Sequence, residues 1–137
     1  MEIKILLVED NEGDIVLTQE ALKDGRIKND ITIARDGVEA LGMLDSGEPL
    51  PDLILLDINL PKLNGLEVLT AIKTDPRLKT IPVIMLSTSD EQNDIFTSYN
   101  NYANCFITKP VDFNRFIDVV HTIETFWISI VKLPKNR

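Results

Sequence analysis

The sequence predicts an α/β fold, a doubly wound (βα)5 three-layer sandwich with a parallel sheet in the strand order 2-1-3-4-5. Two observations favour it. Five short apolar runs alternate along the 137 residues with segments whose apolar residues have helical spacing. Most of these runs are continuously hydrophobic, as expected of strands that are buried on both faces. Right-handed crossovers between such strands lead to a doubly wound sheet, and this strand order is a common one.

The elements follow from the apolar pattern and its boundaries. The predicted strands are 3–8, 31–34, 53–56, 81–86 and 105–107. Helices are predicted at 12–24, 90–100 and 113–131, and two more begin at residue pairs with the spacing of a capping box. These boxes pair Asp36 with Glu39 and Asn64 with Glu67, three residues apart in each case.

Polar side chains follow four of the predicted strands. Glu9 and Asp10 follow the first strand, Asp57 the third, Ser87 the fourth and Lys109 the fifth. The carboxyl ends of parallel strands lie along one edge of the sheet, so we expect these side chains to share a cleft. A single aspartate after a strand is more often a loop residue or a helix cap. The interpretation of Asp57 therefore depends on its expected neighbours.

Three carboxylates in one cleft would repel one another, and a divalent cation would relieve that repulsion. All-oxygen ligands favour Mg²⁺, Mn²⁺ or Ca²⁺ over zinc or copper. Mg²⁺ fits best, because it takes few carboxylates together with a phosphoryl oxygen. Lys109 can hold a phosphate by its charge, and Ser87 can donate a hydrogen bond to it. The set is typical of an aspartyl-phosphate site with Asp57 as the nucleophile.

In the order and spacing of these residues the chain resembles the response-regulator receiver domains of two-component signalling, which have a flavodoxin-like fold. The residues that carry the resemblance are Glu9-Asp10, Asp57, Leu60-Pro61, Gly65, Ser87, Phe106 and Lys109-Pro110. It covers nearly the whole chain, which predicts a single receiver domain at 1–132 and a short tail at 133–137. Segments near both ends are similar to the small receivers that partner bacterial and cyanobacterial phytochromes.

The resemblance implies a role for each residue around the phosphoacceptor. Asp57 would take its phosphoryl group from a phosphohistidine on a sensor histidine kinase. Asp10 and Asp57 would ligate Mg²⁺ (or Mn²⁺) directly, the main-chain carbonyl of Asn59 would join them, and Glu9 would act through water. The domain would then catalyse only its own phosphorylation and autodephosphorylation, and would not be an enzyme in the wider sense.

The resemblance also implies a switch. Lys109 would bind a phosphoryl oxygen, Ser87 would move inward to the same group, and Phe106 would rotate into the space that Ser87 leaves. Phe106 lacks the hydroxyl of the tyrosine found in many relatives, so its part in the switch would depend on packing alone. A protein–protein contact would carry the output.

Charge and composition limit the partners. The formal net charge of −8 disfavours nucleic acid and anionic membranes as partners. The single cysteine excludes an internal disulfide, which agrees with a reducing compartment. No apolar run reaches the ~20 residues of a membrane span, and the N-terminus does not resemble a signal peptide. We therefore expect a cytoplasmic protein.

The last predicted helix is longer than the sheet it covers. Nineteen residues rise ~28 Å, whereas a five-residue strand spans ~17 Å. The overhanging turns would carry Phe126, Trp127, Ile130 and Val131. These residues either fold back onto the domain or form a partner surface, and we expect a surface for a two-fold homodimer.

Three other functions fit the sequence less well than a receiver does. A phosphatase with an aspartate nucleophile needs a second acid two residues later, where this chain has Asn59. A flavodoxin-type redox carrier needs a Ser/Thr/Gly-rich phosphate loop after the first strand, where this chain has Glu9 and Asp10. A receiver-like binding module that works without phosphate remains open from the sequence, although the intact set of site residues argues against it.

Overall fold

The computed structural model describes residues 2–23, 28–46, 49–87, 92–103, 105–109, 113–123 and 125. In these ranges strands and helices alternate strictly along the chain. They are β1 (Ile3–Val8), α1 (Glu12–Lys23), β2 (Asn29–Ala34), α2 (Gly37–Asp45), β3 (Leu53–Leu56), α3 (Gly65–Thr74), β4 (Val83–Ser87), α4 (Gln92–Asn100), β5 (Cys105–Thr108) and α5 (Phe113–Ile123). None of these helices, within the described residues, is long and apolar enough to span a bilayer.

The strands form one parallel sheet in the order β2-β1-β3-β4-β5, which confirms the predicted fold. The register sets Val8 opposite Leu56, and Leu56 opposite Met85. At the far side Ser87 is opposite Thr108. The carboxyl ends of β1, β3, β4 and β5 therefore lie along one edge of the sheet.

The core has two halves, one on each face of the sheet, and β3 contributes to both. Ile54 and Leu56 pack on the face that α2 and α3 cover, whereas Leu53 and Leu55 pack on the face that α1 and α5 cover. All four residues of β3 are completely buried. A strand whose two faces are both dry needs no polar alternation, which is why its sequence is a continuous apolar run.

Several predicted boundaries are shifted. β2 begins at Asn29, two residues before the predicted start. β4 begins at Val83, because Pro82 has no N–H to donate to a strand ladder and only its carbonyl accepts a bond, from Ile54. At its other end β4 extends to Ser87, which pairs with Thr108 of β5. The described part of α5 ends at Ile123. The predicted continuation of α5, with Phe126, Trp127, Ile130 and Val131, lies outside the described residues, and the bounds 1–132 and 133–137 stay a prediction.

One capping box forms in full and the other only in part. At α3 the Asn64 side chain accepts from the Glu67 N–H, and the Glu67 carboxylate accepts from the Asn64 N–H. At α2 Asp36 accepts from the Glu39 N–H at 2.7 Å as predicted. The Glu39 carboxylate, however, accepts from the N–H of Arg35, 2.6 Å away, and not from that of Asp36. The prediction of a reciprocal box at α2 was therefore wrong in its second half.

Candidate functional site

The backbone continues its strand pairing one residue past β1 and β3, and this brings two acidic residues to the same edge. The Glu9 N–H donates to the carbonyl of Ala34 at 2.9 Å, and the Asp57 N–H donates to the carbonyl of Val8 at 3.1 Å. Glu9 and Asp57 are 3% and 7% exposed, whereas their neighbour Asp10 is exposed. The acidic cluster is thus buried on one side and open to solvent on the other.

Lys109, the residue after β5, brings a cation into this cluster. Its Nζ lies 2.5 Å from Glu9 Oε1, 2.7 Å from Asp14 Oδ2 and 3.3 Å from Asp57 Oδ2. The side chain is almost completely buried. An ammonium group has three N–H donors, and each can serve one of these carboxylates. The three carboxylates together more than neutralise the buried charge.

Asp14 is a member of this site that the sequence analysis missed. It lies in the first turn of α1, where its N–H donates to the Asn11 side chain at 2.9 Å. Its carboxylate is then free to reach Lys109. The available signal was the three-residue spacing of Asn11 and Asp14, which is that of a helix cap and its N3 residue directly behind the acidic pair.

Glu9, Asp10 and Asp57 form a group that can hold a metal ion. Each offers a carboxylate oxygen, and these oxygens lie within 4.8 Å of one another. Hard oxygen donors with access to solvent suit Mg²⁺ and Mn²⁺, which retain several water ligands. The residues therefore fit the predicted divalent cofactor.

Burial and charge shift the pKa values of the two central groups. The pKa of Glu9 is raised to about 7: burial is the main cause, the hydrogen bond from Lys109 opposes it, and the nearby charge of Asp57 adds to the rise. Burial would lower the pKa of Lys109, but hydrogen bonds to Asp14 and Glu9 outweigh it and raise the pKa above its ordinary value. Lys109 therefore stays charged, and the acidic groups among the described residues of the site outnumber this ammonium.

The turn after Asp57 folds tightly against the site. The Asn59 N–H donates to Asp57 Oδ1 at 3.2 Å, and Asn59 itself is exposed. Gly65 begins α3 so close to this turn that a Cβ there would lie 2.0 Å from the Asp57 carbonyl oxygen. Lys62, within the turn, has a φ of 68°, in the left-handed region. The position of Asp57 thus depends on a turn of fixed shape.

The two predicted switch residues lie on neighbouring strands. Ser87 ends β4 opposite Thr108, and the structure describes its backbone only. Phe106 is partly buried against the core on the α2 and α3 face. Its N–H donates to the hydroxyl of Tyr99 on α4 at 3.1 Å. The roles of Ser87 and Phe106 stay predictions.

A parallel sheet whose carboxyl edge carries an acidic cluster around a buried lysine is the arrangement of a phosphorylation-controlled signalling domain. The family model for the response regulator receiver domain matches residues 5–121. The chain belongs to this family, which confirms the predicted receiver of two-component signalling. Its relatives are signalling regulators.

Individual members of the family are similar to this chain over nearly its whole length. Response regulator Rcp1 of Synechocystis sp. is 46% identical over 135 residues, which are 95% of this chain and 92% of Rcp1. The crystal structure of the Mn²⁺-bound form of Rcp1 matches with a TM-score of 0.94 at 43% identity, covering 97% of this chain and 99% of that one. The phosphorylated cyanobacterial phytochrome response regulator RcpA matches with a TM-score of 0.95 at 47% identity, covering 98% and 100%. These similarities confirm the predicted likeness to phytochrome response regulators.

Proposed function

We propose that this receiver accepts a phosphoryl group on Asp57 from the phosphohistidine of a sensor histidine kinase. One observation carries the proposal: Asp57 is a buried carboxylate that faces both a metal-competent acidic cluster and the Lys109 ammonium, 3.3 Å away. Burial with an excess of negative charge favours the arrival of positive charge, and a phosphoryl group enters such sites together with a divalent cation.

The chemistry requires little of the protein beyond positioning. An Asp57 oxygen forms a bond to phosphorus while the phosphorus–nitrogen bond of phosphohistidine breaks, and the leaving imidazole keeps the electron pair. The Asn59 N–H restrains the carboxylate through Oδ1, at 3.2 Å. Lys109 already contacts Oδ2, so its ammonium can pass a hydrogen bond to a phosphoryl oxygen without a large movement.

The metal would be Mg²⁺ or Mn²⁺. Asp10 and Asp57 would hold it directly, the carbonyl of Asn59 would join them, and Glu9 would act through a water molecule. When bound, the cation supplies positive charge beside the phosphoryl oxygens. The closeness of the three carboxylates supports this set, because their oxygens lie within 4.8 Å of one another.

The readout would pass through Ser87 and Phe106. Ser87 would bond to the new phosphoryl group, and the Phe106 ring would follow into the vacated space. The hydrogen bond from the Phe106 N–H to Tyr99 supports a link between this movement and α4. A protein contact would then carry the signal.

The partner would be a phytochrome-type sensor kinase, a proposal supported by the likeness to RcpA, a cyanobacterial phytochrome response regulator. The net charge of −8 argues against nucleic acid and membrane surfaces as partners, and the location that we propose is the cytoplasm.

A homodimer through Phe126, Trp127, Ile130 and Val131 rests on the sequence alone. Sedimentation at high concentration tests it, and a strict monomer with and without a phosphoryl analogue would exclude it.

The decisive experiment is phosphorylation by acetyl phosphate and Mg²⁺, counted by intact-mass spectrometry. The natural chain should take up one phosphate, Asp57→Asn none, and a chelator should abolish the reaction. Asp52→Asn is the matched control, because Asp52 is equally buried at the other end of β3. Phosphate on the Asp57→Asn protein would show that another residue is the acceptor. Steady turnover of a chromogenic phosphate ester would indicate a phosphatase instead.

A further inference from the structure

Lys109 and a metal ion would depend on the same carboxylates. Of the three acids around Nζ, Glu9 and Asp57 also belong to the oxygen cluster that can hold a divalent cation. Two cations cannot both make their full contacts with one carboxylate pair without mutual repulsion. Asp14 is the exception, since it contacts Lys109 at 2.7 Å and lies outside the metal-competent group.

We propose that Asp14 is a positioning residue for Lys109, which holds the ammonium at the site through a carboxylate that the metal does not use. Glu9 is thereby released to act toward the metal while Lys109 keeps a partner. This proposal rests on the proposed phosphoacceptor site. It adds that Asp14 influences the affinity of that site for its metal ion.

The geometry gives Asp14 the strength for this role. Its contact with Nζ, at 2.7 Å, is shorter than that of Asp57, at 3.3 Å. Its side chain is about a quarter exposed, whereas that of Lys109 is almost completely buried, so solvent screens the pair only in part. The first turn of α1 also stabilises a negative charge, because the helix dipole is positive there.

Two successive hydrogen bonds at the start of α1 hold Asp14 in place and connect it to Glu9. The Asn11 side chain accepts from its N–H at 2.9 Å, which sets the start of α1. Asn11 in turn donates its own N–H to Glu9 Oε2 at 3.2 Å. The helix cap thus connects Asp14 to Glu9, whose Oε1 accepts a hydrogen bond from Lys109.

Without the Asp14 charge, the acidic partners left to Lys109 among the described residues would be Glu9 and Asp57. A metal ion would then have to displace the ammonium from both, and its affinity should fall. Groups within one ion-pair network are coupled strongly enough for an effect of about tenfold.

The test measures Mn²⁺ affinity of the full chain by electron paramagnetic resonance, without any phosphoryl donor. Asp14→Asn should weaken Mn²⁺ binding about tenfold. Glu12→Gln is the matched control, because it removes the same charge from the same helix turn but from a residue that pairs with Arg35 at 2.7 Å. It should weaken binding by about twofold or less, since exposed charges interact weakly in water.

A second background separates anchoring from simple charge attraction. In a Lys109→Met protein the ammonium is gone, so Asp14→Asn should have no larger effect than Glu12→Gln. Lys109→Gln serves the same purpose if the methionine variant does not fold. The proposal is wrong if Asp14→Asn keeps its full effect without Lys109, or if it binds Mn²⁺ like the natural chain.

Thermal unfolding without metal checks that each variant is folded. The outcome is independent of phosphorylation, because no donor is present. Failure of phosphate uptake on Asp57 would overturn the proposed function, whereas the proposed role of Asp14 would still stand. A missing Asp14 effect with normal phosphate uptake would do the reverse.

Discussion

Two buried aspartates lie at the two ends of β3, and they differ in what surrounds them. Asp52 precedes the strand and Asp57 follows it, with 8% and 7% of their surface exposed. Asp52 accepts from the Lys4 N–H at 3.0 Å and returns its own N–H to the Lys4 carbonyl at 2.7 Å. Asp57 instead shares the ammonium of Lys109 with two other acids.

Burial alone therefore does not distinguish a carboxylate of the candidate site from a structural one. The carboxylate of Asp52 accepts from the backbone N–H of Lys4 in the neighbouring strand, so it helps to join β1 to the start of β3 at the amino edge of the sheet. Within the described part of the chain, the carboxylate of Asp57 lies in a cluster with more acidic than basic groups, whose mutual repulsion disfavours the folded state. Such unbalanced sites trade stability for function.

The largest expected effect comes from the turn that fixes Asp57. In Gly65→Ala the new Cβ would collide with the Asp57 carbonyl oxygen and the Ile58 backbone, neither of which is a flexible side-chain end. We expect a loss of about 3 kcal/mol in the free energy of unfolding, measured with urea. Gly42→Ala is the control, because open space surrounds that position and alanine favours helices. Equal unfolding of the two variants would contradict this account of the turn.

At the other end of β3, Asp52→Ala should cost less. It removes the acceptor of the Lys4 N–H, and an unsatisfied, partly buried donor costs about 2 kcal/mol. Asp52→Asn keeps an acceptor oxygen and should lose less than half as much. Both variants should retain the natural stabilisation by Mg²⁺ in a thermal melt. A changed Mg²⁺ response would mean that Asp52 also serves the site.

Asp57→Asn should change the free energy of unfolding in the opposite direction. In metal-free buffer it removes one of several mutually repelling carboxylates, and we expect a gain of about 1 kcal/mol in the free energy of unfolding. The stabilisation that Mg²⁺ gives the natural chain should disappear with it. Thermal unfolding in chelator and in Mg²⁺ measures both effects. Destabilisation like that of Asp52→Ala would remove the contrast between the two aspartates.

The smallest expected effect concerns Lys62, in the turn after Asp57. Its φ of 68° is costly for a residue with a Cβ, and its own side chain is largely exposed in the 3.4 Å ion pair with Asp36. Lys62→Gly should therefore stabilise the chain by about 0.5 kcal/mol. Lys62→Ala loses the ion pair and keeps the strain, so it should be no more stable than the natural chain. Chemical denaturation of the three proteins decides.

Much of the fold could be predicted because the apolar runs are unambiguous. The bounds of β3 are those predicted, since all four of its residues are buried. The start of β2 was missed, because Asn29 and Asp30 are poor strand formers by composition. Pairing with Ile3 and Lys4 of β1 extends the strand to them, and no local pattern reports that.

The topology of the sheet allowed prediction of the site residues that follow strands, but not of the one that lies on a helix. The order of strands along one edge brings together the residues that follow them, which is how Glu9, Asp10, Asp57 and Lys109 were grouped. Asp14 comes from a helix turn instead, and its contact with Lys109 joins residues 95 positions apart in sequence. That contact depends on how α1 lies over the sheet, which periodicity and capping signals do not specify.

The hydroxyl of Tyr99 affects how easily another strand can add to the outer edge of the sheet. β5 is an outer strand of the sheet, and an outer strand with open N–H groups can recruit a strand from another molecule. The Phe106 N–H is already engaged by Tyr99 from α4. A foreign strand would have to displace that side chain before it could pair at Phe106, so the contact from α4 hinders strand addition at this position of the edge.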